Sequence, residues 1–488
     1  MRTGAEYLAS LSDGREVYLD GQRVDDVTTH PAFAGPIATI AGIYDEVAAD
    51  PGYAYEDPAT GERCSGMWRI PRSSADLTAR RRMHEMWARP SCGLMGRTPD
   101  HVASLLSAFT ASKDVFARGG ERYADNVVRF YERARREDLY VAYAIVPPQV
   151  DRSKPAHQQP EPFLYAGAAE EREDGIVIRG AQMIGTSAAM ADWLLLTYVV
   201  PLQDGDEDYA ISCVMPMNAP GLRIYPRRPY TTIANSEFDY PLSSRFDEFD
   251  SLVVFDDVFV PWEHVFVYRD VGITRDQFTK TGAHLMANFQ ALSRFGVKLR
   301  FACGLAMRLA ELHGIDRLPP VQGQLGGGVA TIASQLEAIV VAAETTPRIT
   351  ETLAIPNQQF VYTGMSLQRQ LVVDLMRWLR ELAGGSFIAV PSSEEVFTAP
   401  ETALHTERYY KSATASAYER VRLLKLMWDF VGTEFAGRQL QYEMFYSAAQ
   451  HVSDARVFHA YDWDAGRELV DGLLSRTAPA GGTAELAA

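Results

Sequence analysis

The hydrophobic positions of the chain change their spacing twice. Up to about residue 138 they follow the three-to-four-residue repeat of helices. From 139 to about 270 short apolar runs alternate with turn residues such as Glu173-Asp174-Gly175, which predicts strands. After about 270 long stretches without proline predict helices again. These predicted helices cover 279–314, 331–345, 358–383 and 401–449.

Helices and strands thus fall in separate segments, which predicts an α+β fold rather than alternating βαβ units. We predict an N-terminal, mainly helical domain at 1–138, a middle antiparallel β domain at 139–270, a C-terminal helical bundle at 271–476 and a flexible tail at 477–488. The predicted helix around Phe295 is apolar on most of its circumference, and that pattern fits a helix central to its bundle and one at a subunit interface equally well.

Composition and charge narrow the class of protein. The 488 residues include 47 Lys and Arg against 63 Asp and Glu, and the net charge of −16 disfavours nucleic acid and anionic lipid as partners. The cysteines form no CxxC pair, and the N-terminus lacks a signal-peptide pattern. We therefore expect a protein of the reducing cytosol without a metal site. The longest nearly apolar run, 193–202, is about half of the ~20 residues that span a bilayer, so we expect no membrane insertion.

Common nucleotide and hydrolase motifs do not occur. The glycines Gly326–Gly328 lack GxGxxG spacing and follow no strand pattern, so a self-contained Rossmann reductase is not indicated. There is no Walker A loop, no HExxH zinc motif and no GxSxG nucleophile elbow. The sequence therefore gives no support to the usual NTPase, metalloprotease and serine hydrolase classes.

Two segments carry candidate chemistry. In 93–101, Arg97 and His101 lie on either side of a proline at a predicted helix start, where a fixed guanidinium could hold an anionic or phenolic oxygen. A simple ion pair of Arg97 at the helix start fits the same residues equally well. In 145–153, Gln149, Arg152 and Ser153 follow a strand in a proline-shaped loop and could bind a polar ring edge or a pyrophosphate. A purely structural turn is the equal alternative.

Six motifs, in this order and spacing, give the chain a specific resemblance over nearly its whole length. The chain resembles the oxygenase component of two-component 4-hydroxyphenylacetate 3-monooxygenases. The motifs that carry the resemblance are Gly96-Arg-Thr-Pro-Asp100, Pro148-Gln-Val-Asp-Arg-Ser153, Gly180-Ala-Gln-Met-Ile-Gly-Thr-Ser187, Ser244-Arg-Phe-Asp-Glu-Phe-Asp250, Leu382-Ala-Gly-Gly385 and Thr433-Glu-Phe-Ala-Gly-Arg438.

The resemblance implies an acyl-CoA-dehydrogenase-like architecture, commonly assembled as a homotetramer. It also implies that the cofactor is FAD, delivered as FADH2 by a separate NAD(P)H:flavin reductase, with O2 as co-substrate. In the family, O2 adds to the reduced flavin, and the distal oxygen of the resulting C4a-hydroperoxide passes to the carbon ortho to a phenol oxygen. Such chemistry needs a dry pocket and groups that increase the phenolate character of the substrate.

The resemblance also assigns site residues. Arg97 matches the arginine that binds the substrate oxygen. Gln149, Arg152 and Ser153, together with Thr186 and Ser187, match flavin contacts, and Gly437 and Arg438 are expected to approach FAD from a neighbouring helix or subunit.

Two positions depart from the family pattern. The best-known members have Tyr where this chain has His101, and His where it has Tyr143. The exchange keeps an imidazole and a phenol available, and we expect His101 to titrate near neutrality and act as a base toward the substrate while Tyr143 donates a hydrogen bond. It also argues against 4-hydroxyphenylacetate itself. We expect a tyrosine-like or other biosynthetic phenol, free or tethered to a carrier protein, as in antibiotic biosynthesis.

Two flavoenzyme classes of related fold are the alternatives. A 4-hydroxybutyryl-CoA dehydratase needs an iron–sulfur cluster held by three Cys and a His, and Cys92 and Cys303 are too isolated in the sequence to supply it. An acyl-CoA dehydrogenase would hold FAD tightly and need no O2. A basic patch for an acidic carrier protein is a third open point, with Arg223, Arg227 and Arg228 as one candidate and a solvated loop face as the other interpretation.

Overall fold

The computed structural model of the chain describes residues 1–57, 60–234, 236–446 and 448–477. The α-helices in this part are α1 (Gly4–Leu11), α2 (Pro31–Ala49), α3 (Ser74–Ala88), α4 (Pro99–Ala111), α5 (Asp114–Ala117), α6 (Glu121–Glu137), α7 (Val271–Thr279), α8 (Ala283–Leu312), α9 (Pro319–Gly323), α10 (Thr331–Thr345), α11 (Gln358–Ala383), α12 (Ala403–Tyr410), α13 (Ala417–Val431), α14 (Glu434–Phe445), α15 (Gln450–Ala460) and α16 (Trp463–Thr477). The strands are β1 (Glu16–Leu19), β2 (Gln22–Arg23), β3 (Ala54–Glu56), β4 (Arg63–Ser65), β5 (Val141–Ala144), β6 (Gly167–Glu171), β7 (Gly175–Gln182), β8 (Trp193–Leu196), β9 (Ile211–Pro216), β10 (Leu222–Pro226), β11 (Ser251–Pro261), β12 (Val265–Tyr268), β13 (Arg348–Ile349) and β14 (Ala354–Ile355).

Two sheets form the middle of the fold. The larger has the strand order β2-β1-β10-β11-β7-β6 and the smaller has the order β12-β9-β8-β5. Most strand pairs in the predicted antiparallel domain are antiparallel, but β1 pairs with β10 and β5 with β8 in parallel. The first parallel pair arises because the N-terminal segment adds two strands to the larger sheet. The second arises because β5 and β8, neighbours in the smaller sheet, are separated in sequence by β6 and β7, which belong to the larger sheet.

Helix α8 is the axis of the C-terminal bundle. It contacts α3, α4, α10 and α11, and the side chains of Phe289, Leu292, Phe295 and Leu299 are fully or almost fully buried. Within this chain it is therefore the central helix of its bundle, which accounts for its apolar circumference. One hydrophobic core runs from α1 through both sheets to α14.

A helical stretch that the sequence analysis did not single out joins α9 to α10. Residues Pro319–Thr345 form 27 consecutive helical residues, with a π-helical turn at Gln324–Ala330, and by length and composition they could cross a membrane. Such a stretch is weak evidence of a span, because the core helix of a soluble protein meets the same test. Of the predicted tail, Thr477 ends α16 and residues 478–488 lie outside the described part.

Candidate active site

Arg97 lies just before α4, in a segment that a distant carboxylate holds in place. The backbone N–H groups of Gly96 and Arg97 both donate to Glu248 Oε1, each at 2.6 Å. Glu248 is buried in the segment that leads into β11. A side chain at Gly96 would drive its Cβ into the hydroxyl and ring of Tyr442, so glycine is required there by close packing. The position of Arg97 is thus set by both its own backbone and α14.

The Arg97 guanidinium contacts tyrosine rings rather than a carboxylate. Its carbon Cζ lies 5.4 Å from the ring centre of Tyr143, 5.1 Å from that of Tyr442 and 5.4 Å from that of Tyr446. Its Nη1 donates to the hydroxyl of Tyr442. Burial opposes the charge, but these tyrosines and Glu248 outweigh it, so the pKa of Arg97 is raised above its ordinary value. Among the described residues Arg97 has no ion-pair partner within 4 Å, and the helix-start ion pair does not form.

His101 and Tyr143 lie next to Arg97, with their ring centres 5.4 Å apart. His101 Nδ1 is 2.9 Å from Gln290 Oε1. Burial, and then the charge of Arg97, hold the pKa of His101 well below its usual range. The prediction that His101 titrates near neutrality was therefore wrong, because the sequence could not show how deeply α4 is buried. We call Arg97, His101, Tyr143, Tyr442 and Tyr446 the Arg97 cluster.

A second layer of charge connects the Arg97 cluster to α14 and to the segment after β7. Arg438 donates to Glu248 Oε2 at 2.8 Å and to both oxygens of Asp250 at 2.7 and 2.8 Å. The hydroxyl of Thr186 donates to Asp250 at 2.8 Å, and the N–H of Ser187 donates to the backbone oxygen of Glu248 at 2.6 Å. Residues 248–250 thus join α14, the segment before α4 and the segment after β7, and the polar groups of Arg438 and Thr186 are engaged there.

The segment after β7 has an unusual backbone. Ile184 and Ser187 adopt positive φ values of 58° and 66°, which is rare for a β-branched residue such as isoleucine. Met183 and Ile184 are exposed, although both are apolar, while Thr186 and Ser187 are buried. The segment therefore presents an apolar surface on a constrained backbone, and such strain is commonly found at ligand sites.

The loop after β5 presents three polar residues to solvent. Gln149, Arg152 and Ser153 are exposed, Arg152 Nε donates to Gln149 Oε1, and the Ser153 hydroxyl donates to Asp151 at 2.6 Å. This loop and the segment after β7 begin side by side, because Met183 N–H donates to the carbonyl oxygen of Val146 at 2.7 Å. Gly437 on α14 is also exposed, with open space where a Cβ would be.

Several residues of the site were not predicted as such. Glu248 and Asp250 belong to a quoted motif, but nothing in the sequence showed that they pair with Arg438 from 188 to 190 residues away. Tyr442 and Tyr446 were missed, although positions 438, 442 and 446 have the four-residue spacing of one helix face. Gln290 gave no signal, since one polar residue on an apolar helix is usually structural.

Beneath the Arg97 cluster lies a buried ion network. Glu443 accepts hydrogen bonds from both terminal nitrogens of Arg294, with Nη2 at 2.8 Å, and from Lys298 Nζ at 2.9 Å. All three side chains are fully buried. Arg294 also donates to the backbone oxygen of Gly93 at 2.9 Å. A separate cavity of about 1280 Å³ lies between residues 237–245 and helices α8 and α13, and no residue of the Arg97 cluster lines it.

The residues near the Arg97 cluster fit a flat heterocycle with a phosphate tail. The strained, apolar surface of Met183 and Ile184 suits a planar ring, and the neighbouring loop offers the terminal nitrogens of the Arg152 guanidinium, the kind of donor that binds phosphate. The predicted contacts Gln149, Arg152 and Ser153 lie on a loop that begins beside the segment carrying Thr186 and Ser187. Arg438 is near them but is occupied by Glu248 and Asp250.

Comparison with known proteins gives consistent matches over the whole chain. Residues 3–267 match the family described as 4-hydroxyphenylacetate 3-hydroxylase N terminal, and residues 274–475 match its C terminal. The 4-hydroxyphenylacetate 3-monooxygenase oxygenase component of Thermus thermophilus is 33% identical over 98% of both chains. A (3S)-3-amino-3-(3-chloro-4-hydroxyphenyl)propanoyl-[peptidyl-carrier protein] monooxygenase of Streptomyces globisporus is 36% identical over 91% of this chain and 84% of its own.

Solved structures agree on the fold. The oxygenase component HpaB of 4-hydroxyphenylacetate 3-monooxygenase, complexed with FAD and 4-hydroxyphenylacetate, matches with a TM-score of 0.91 at 32% identity, covering 98% of this chain and 99% of that one. An archaeal 4-hydroxybutyryl-CoA dehydratase from N. maritimus matches with a TM-score of 0.89 at 19% identity, covering 100% and 97%, which is a likeness of fold alone. The chain therefore belongs to the 4-hydroxyphenylacetate 3-hydroxylase family, the FAD-using oxygenase components of two-component monooxygenases.

Proposed function

We propose that this chain hydroxylates a phenol at the carbon ortho to its oxygen, using FADH2 that a separate NAD(P)H:flavin reductase supplies. The observation that carries the proposal is the Arg97 guanidinium, which is held beside His101 and Tyr143 with no carboxylate at ion-pair distance in the described part of the chain. A cation in that state favours the build-up of negative charge on a phenol oxygen. Greater phenolate character makes the ortho carbon a better nucleophile.

The chain's own residues have three roles in this proposal. Arg97 binds and polarises the phenol oxygen, His101 and Tyr143 orient the ring, and Glu248 keeps Arg97 in place through two backbone hydrogen bonds. The loop with Gln149, Arg152 and Ser153, and the surface of Met183 and Ile184, would hold the flavin, with Gly437 leaving room on α14. Reduced FAD, when bound, activates O2 and supplies the oxygen atom.

The substrate we propose is a tyrosine-like or other biosynthetic phenol, free or tethered to a carrier protein. The exchange of His101 and Tyr143 supports a phenol other than 4-hydroxyphenylacetate, and the 36% identical relative acts on a carrier-tethered phenol. The candidate basic patch adds little to the tethered alternative, since Arg223 pairs with Asp256 at 2.9 Å and Arg227 with Asp247 at 2.5 Å. We also propose a homotetramer, as the resemblance implies, and a cytosolic location, as the cysteine pattern and the N-terminus predict.

The decisive experiment is a reconstituted reaction with a panel of phenols. The purified chain, a flavin reductase, NADH and FAD are incubated under ¹⁸O2 with L-tyrosine, 4-hydroxyphenylacetate, 3-(4-hydroxyphenyl)propanoate and tyrosine loaded on a carrier protein. We expect at least one catechol product that carries a single ¹⁸O atom, identified by mass spectrometry. Flavin turnover without any ¹⁸O-labelled phenol would contradict the proposal and favour a dehydrogenase or dehydratase.

An Arg97→Ala variant tests the role of the guanidinium within that assay. We expect kcat/KM to fall by about 10³, because the main charge at the phenol oxygen is lost, with FAD binding retained. Arg97→Lys is the matched control for charge, and it should recover only part of the activity since a lysine lacks the planar fork. Unchanged turnover in Arg97→Ala would remove Arg97 from the reaction.

A further inference from the structure

A chain of buried hydrogen bonds leads from His101 away from the Arg97 cluster. His101 Nδ1 lies 2.9 Å from Gln290 Oε1, Gln290 Nε2 lies 3.3 Å from Asp100 Oδ1, and Asp100 Oδ2 lies 2.7 Å from His84 Nδ1. All four side chains are at most 3% exposed. Thr98 adds a hydroxyl that donates to Asp100 Oδ1 at 2.5 Å. These hydrogen bonds connect α3, α4 and α8, and His101, where the best-known members have Tyr, places an imidazole at their end.

The donors and acceptors along this chain can be assigned in one direction. Asp100 Oδ1 accepts from Thr98 and Gln290, so the amide nitrogen of Gln290 faces Asp100 and its oxygen faces His101. A carbonyl oxygen accepts in turn, so the proton of a neutral His101 is on Nδ1. His84 completes the arrangement, because burial lowers its pKa and its Nδ1–H donates to Asp100. Nε2 of His101 is left with a lone pair and has no hydrogen-bond partner among the described residues.

We propose that Gln290 is a positioning residue that fixes His101 as the Nδ1–H tautomer, so that His101 Nε2 accepts the O–H proton of the substrate phenol. This inference rests on the proposed function. The phenol oxygen then accepts from Arg97 and donates to His101, and the two contacts together orient the ring. The site therefore selects phenols that still carry their proton, and it disfavours aryl ethers, which have no O–H to donate.

The charges around His101 support a neutral acceptor. Burial is the largest cause of its low pKa, and the charges of Arg97 on the loop before α4 and Arg294 on α8 further disfavour an imidazolium. The Gln290 amide lies between the Asp100 carboxyl group and the His101 ring, so Asp100 makes no direct hydrogen bond to that ring. The ring of Tyr143 on β5 lies 5.4 Å from that of His101, centre to centre. His101 consequently accepts a hydrogen bond from the phenol without removing its proton. It acts as a hydrogen-bond acceptor and not as the base that the sequence analysis predicted.

The test uses 4-nitrophenol as a probe, since its ionised form absorbs visible light. The probe is titrated with pH while bound to the anaerobic wild-type protein, Gln290→Leu, Gln290→Glu and the control Ser293→Ala, a buried polar residue of α8 outside the chain of hydrogen bonds. Gln290→Leu frees the imidazole to place its proton on Nε2, which stabilises the phenolate. Gln290→Glu makes His101 more basic, so that the proton passes from the phenol oxygen to Nε2.

We expect the bound probe to ionise at a pH about one unit lower in both Gln290 variants than in the wild type, and at an unchanged pH in Ser293→Ala. Circular dichroism and FAD titration establish whether each variant is folded. If Gln290→Leu does not fold, Gln290→Glu alone provides the test. Unchanged ionisation in the folded Gln290 variants, with Arg97→Ala still weakening probe binding, would overturn the role of Gln290 alone. If Arg97→Ala leaves probe binding unchanged, both this inference and the proposed phenol site are wrong.

Discussion

The Arg97 cluster and the loop 147–153 hold their polar groups by opposite means. Around Arg97 the hydrogen bonds to Glu248, Gln290 and Tyr442 join residues that are 151 to 345 positions apart, and Glu248 and Gln290 are buried at the joints. In the loop, the bonds of Gln149, Arg152 and Ser153 join residues two or three positions apart, and all three side chains are exposed. The first region is fixed by the fold, whereas the three polar side chains of the second are held by bonds within their own turn.

The difference indicates a division of work. A group that must polarise a phenol oxygen has to be in place before the substrate arrives, because reorganisation during the reaction would reduce its effect. The loop, which we propose binds the diffusible cofactor, has to release it again, and local bonds allow that. Changes at buried joints should therefore alter stability and turnover together, while changes in the loop should alter only cofactor affinity.

The largest effect is expected for Glu248→Gln. The variant keeps an acceptor for the two backbone N–H groups but removes the charge that pairs with Arg438, so we expect a loss of about 3 kcal/mol in the free energy of unfolding. Probe binding at Arg97 should weaken as well. Urea denaturation and titration with 4-nitrophenol measure the two effects.

A double-mutant cycle distinguishes the loss of the Glu248–Arg438 ion pair from a general loss of packing. Arg438→Met combined with Glu248→Gln should cost clearly less than the sum of the two single changes, because the double variant leaves neither charge of this pair without its partner. A cost for Glu248→Gln within about 0.5 kcal/mol of zero would mean that the buried joint does not hold the region.

The next largest expected effect is that of acid pH on stability, which should differ between the buried network beneath the Arg97 cluster and the exposed loop 147–153. Arg294 and Lys298 outweigh burial and lower the pKa of Glu443 to about 2, from an ordinary value of 4.5. A lowered carboxyl pKa contributes stability that is complete above pH 4.5 and is lost as the pH falls toward 2. We expect the free energy of unfolding to fall over that window in the wild type, with a shallower fall in Glu443→Gln, as followed by urea denaturation at each pH.

The matched control is Asp151→Asn in the loop. Two bonds from Ser153 also lower the pKa of Asp151, but the carboxylate is partly exposed and solvent screens it. Its acid profile should coincide with that of the wild type. Equal profiles for the wild type and Glu443→Gln would contradict the assignment of the acid response to the buried network.

The smallest effect is expected for Arg152→Ala. We expect FAD to bind up to about tenfold more weakly, because one charged hydrogen bond is lost, and the free energy of unfolding to stay within about 0.5 kcal/mol. FAD affinity is measured by fluorescence titration. Lys154→Ala removes an exposed charge directly after the loop, which pairs with Asp151 at 3.3 Å, and should leave FAD binding unchanged. An equal loss in both variants would indicate a general charge effect.

The sequence was sufficient for the α+β fold and for the change from helix to strand near 139, because both depend on local periodicity. It also selected Arg97, His101 and Tyr143, which the structure brings together. The parallel pairing of β1 with β10 and the joints at Glu248 and Gln290 depend on contacts between distant parts of the chain. The low pKa of His101 depends on burial by α8 and β5, which no motif around His101 encodes.

The bonds of Glu248 also have a consequence for folding. They close loops of 151 and 152 residues toward the N-terminus and one of 190 residues toward the C-terminus. Contacts of such sequence separation form late, since the entropy of closing long loops is lost before the contacts stabilise the chain. On the ribosome, the Arg97 cluster can be completed only after α14 has been synthesised, so a nascent or truncated chain can be largely folded and still have no finished phenol site.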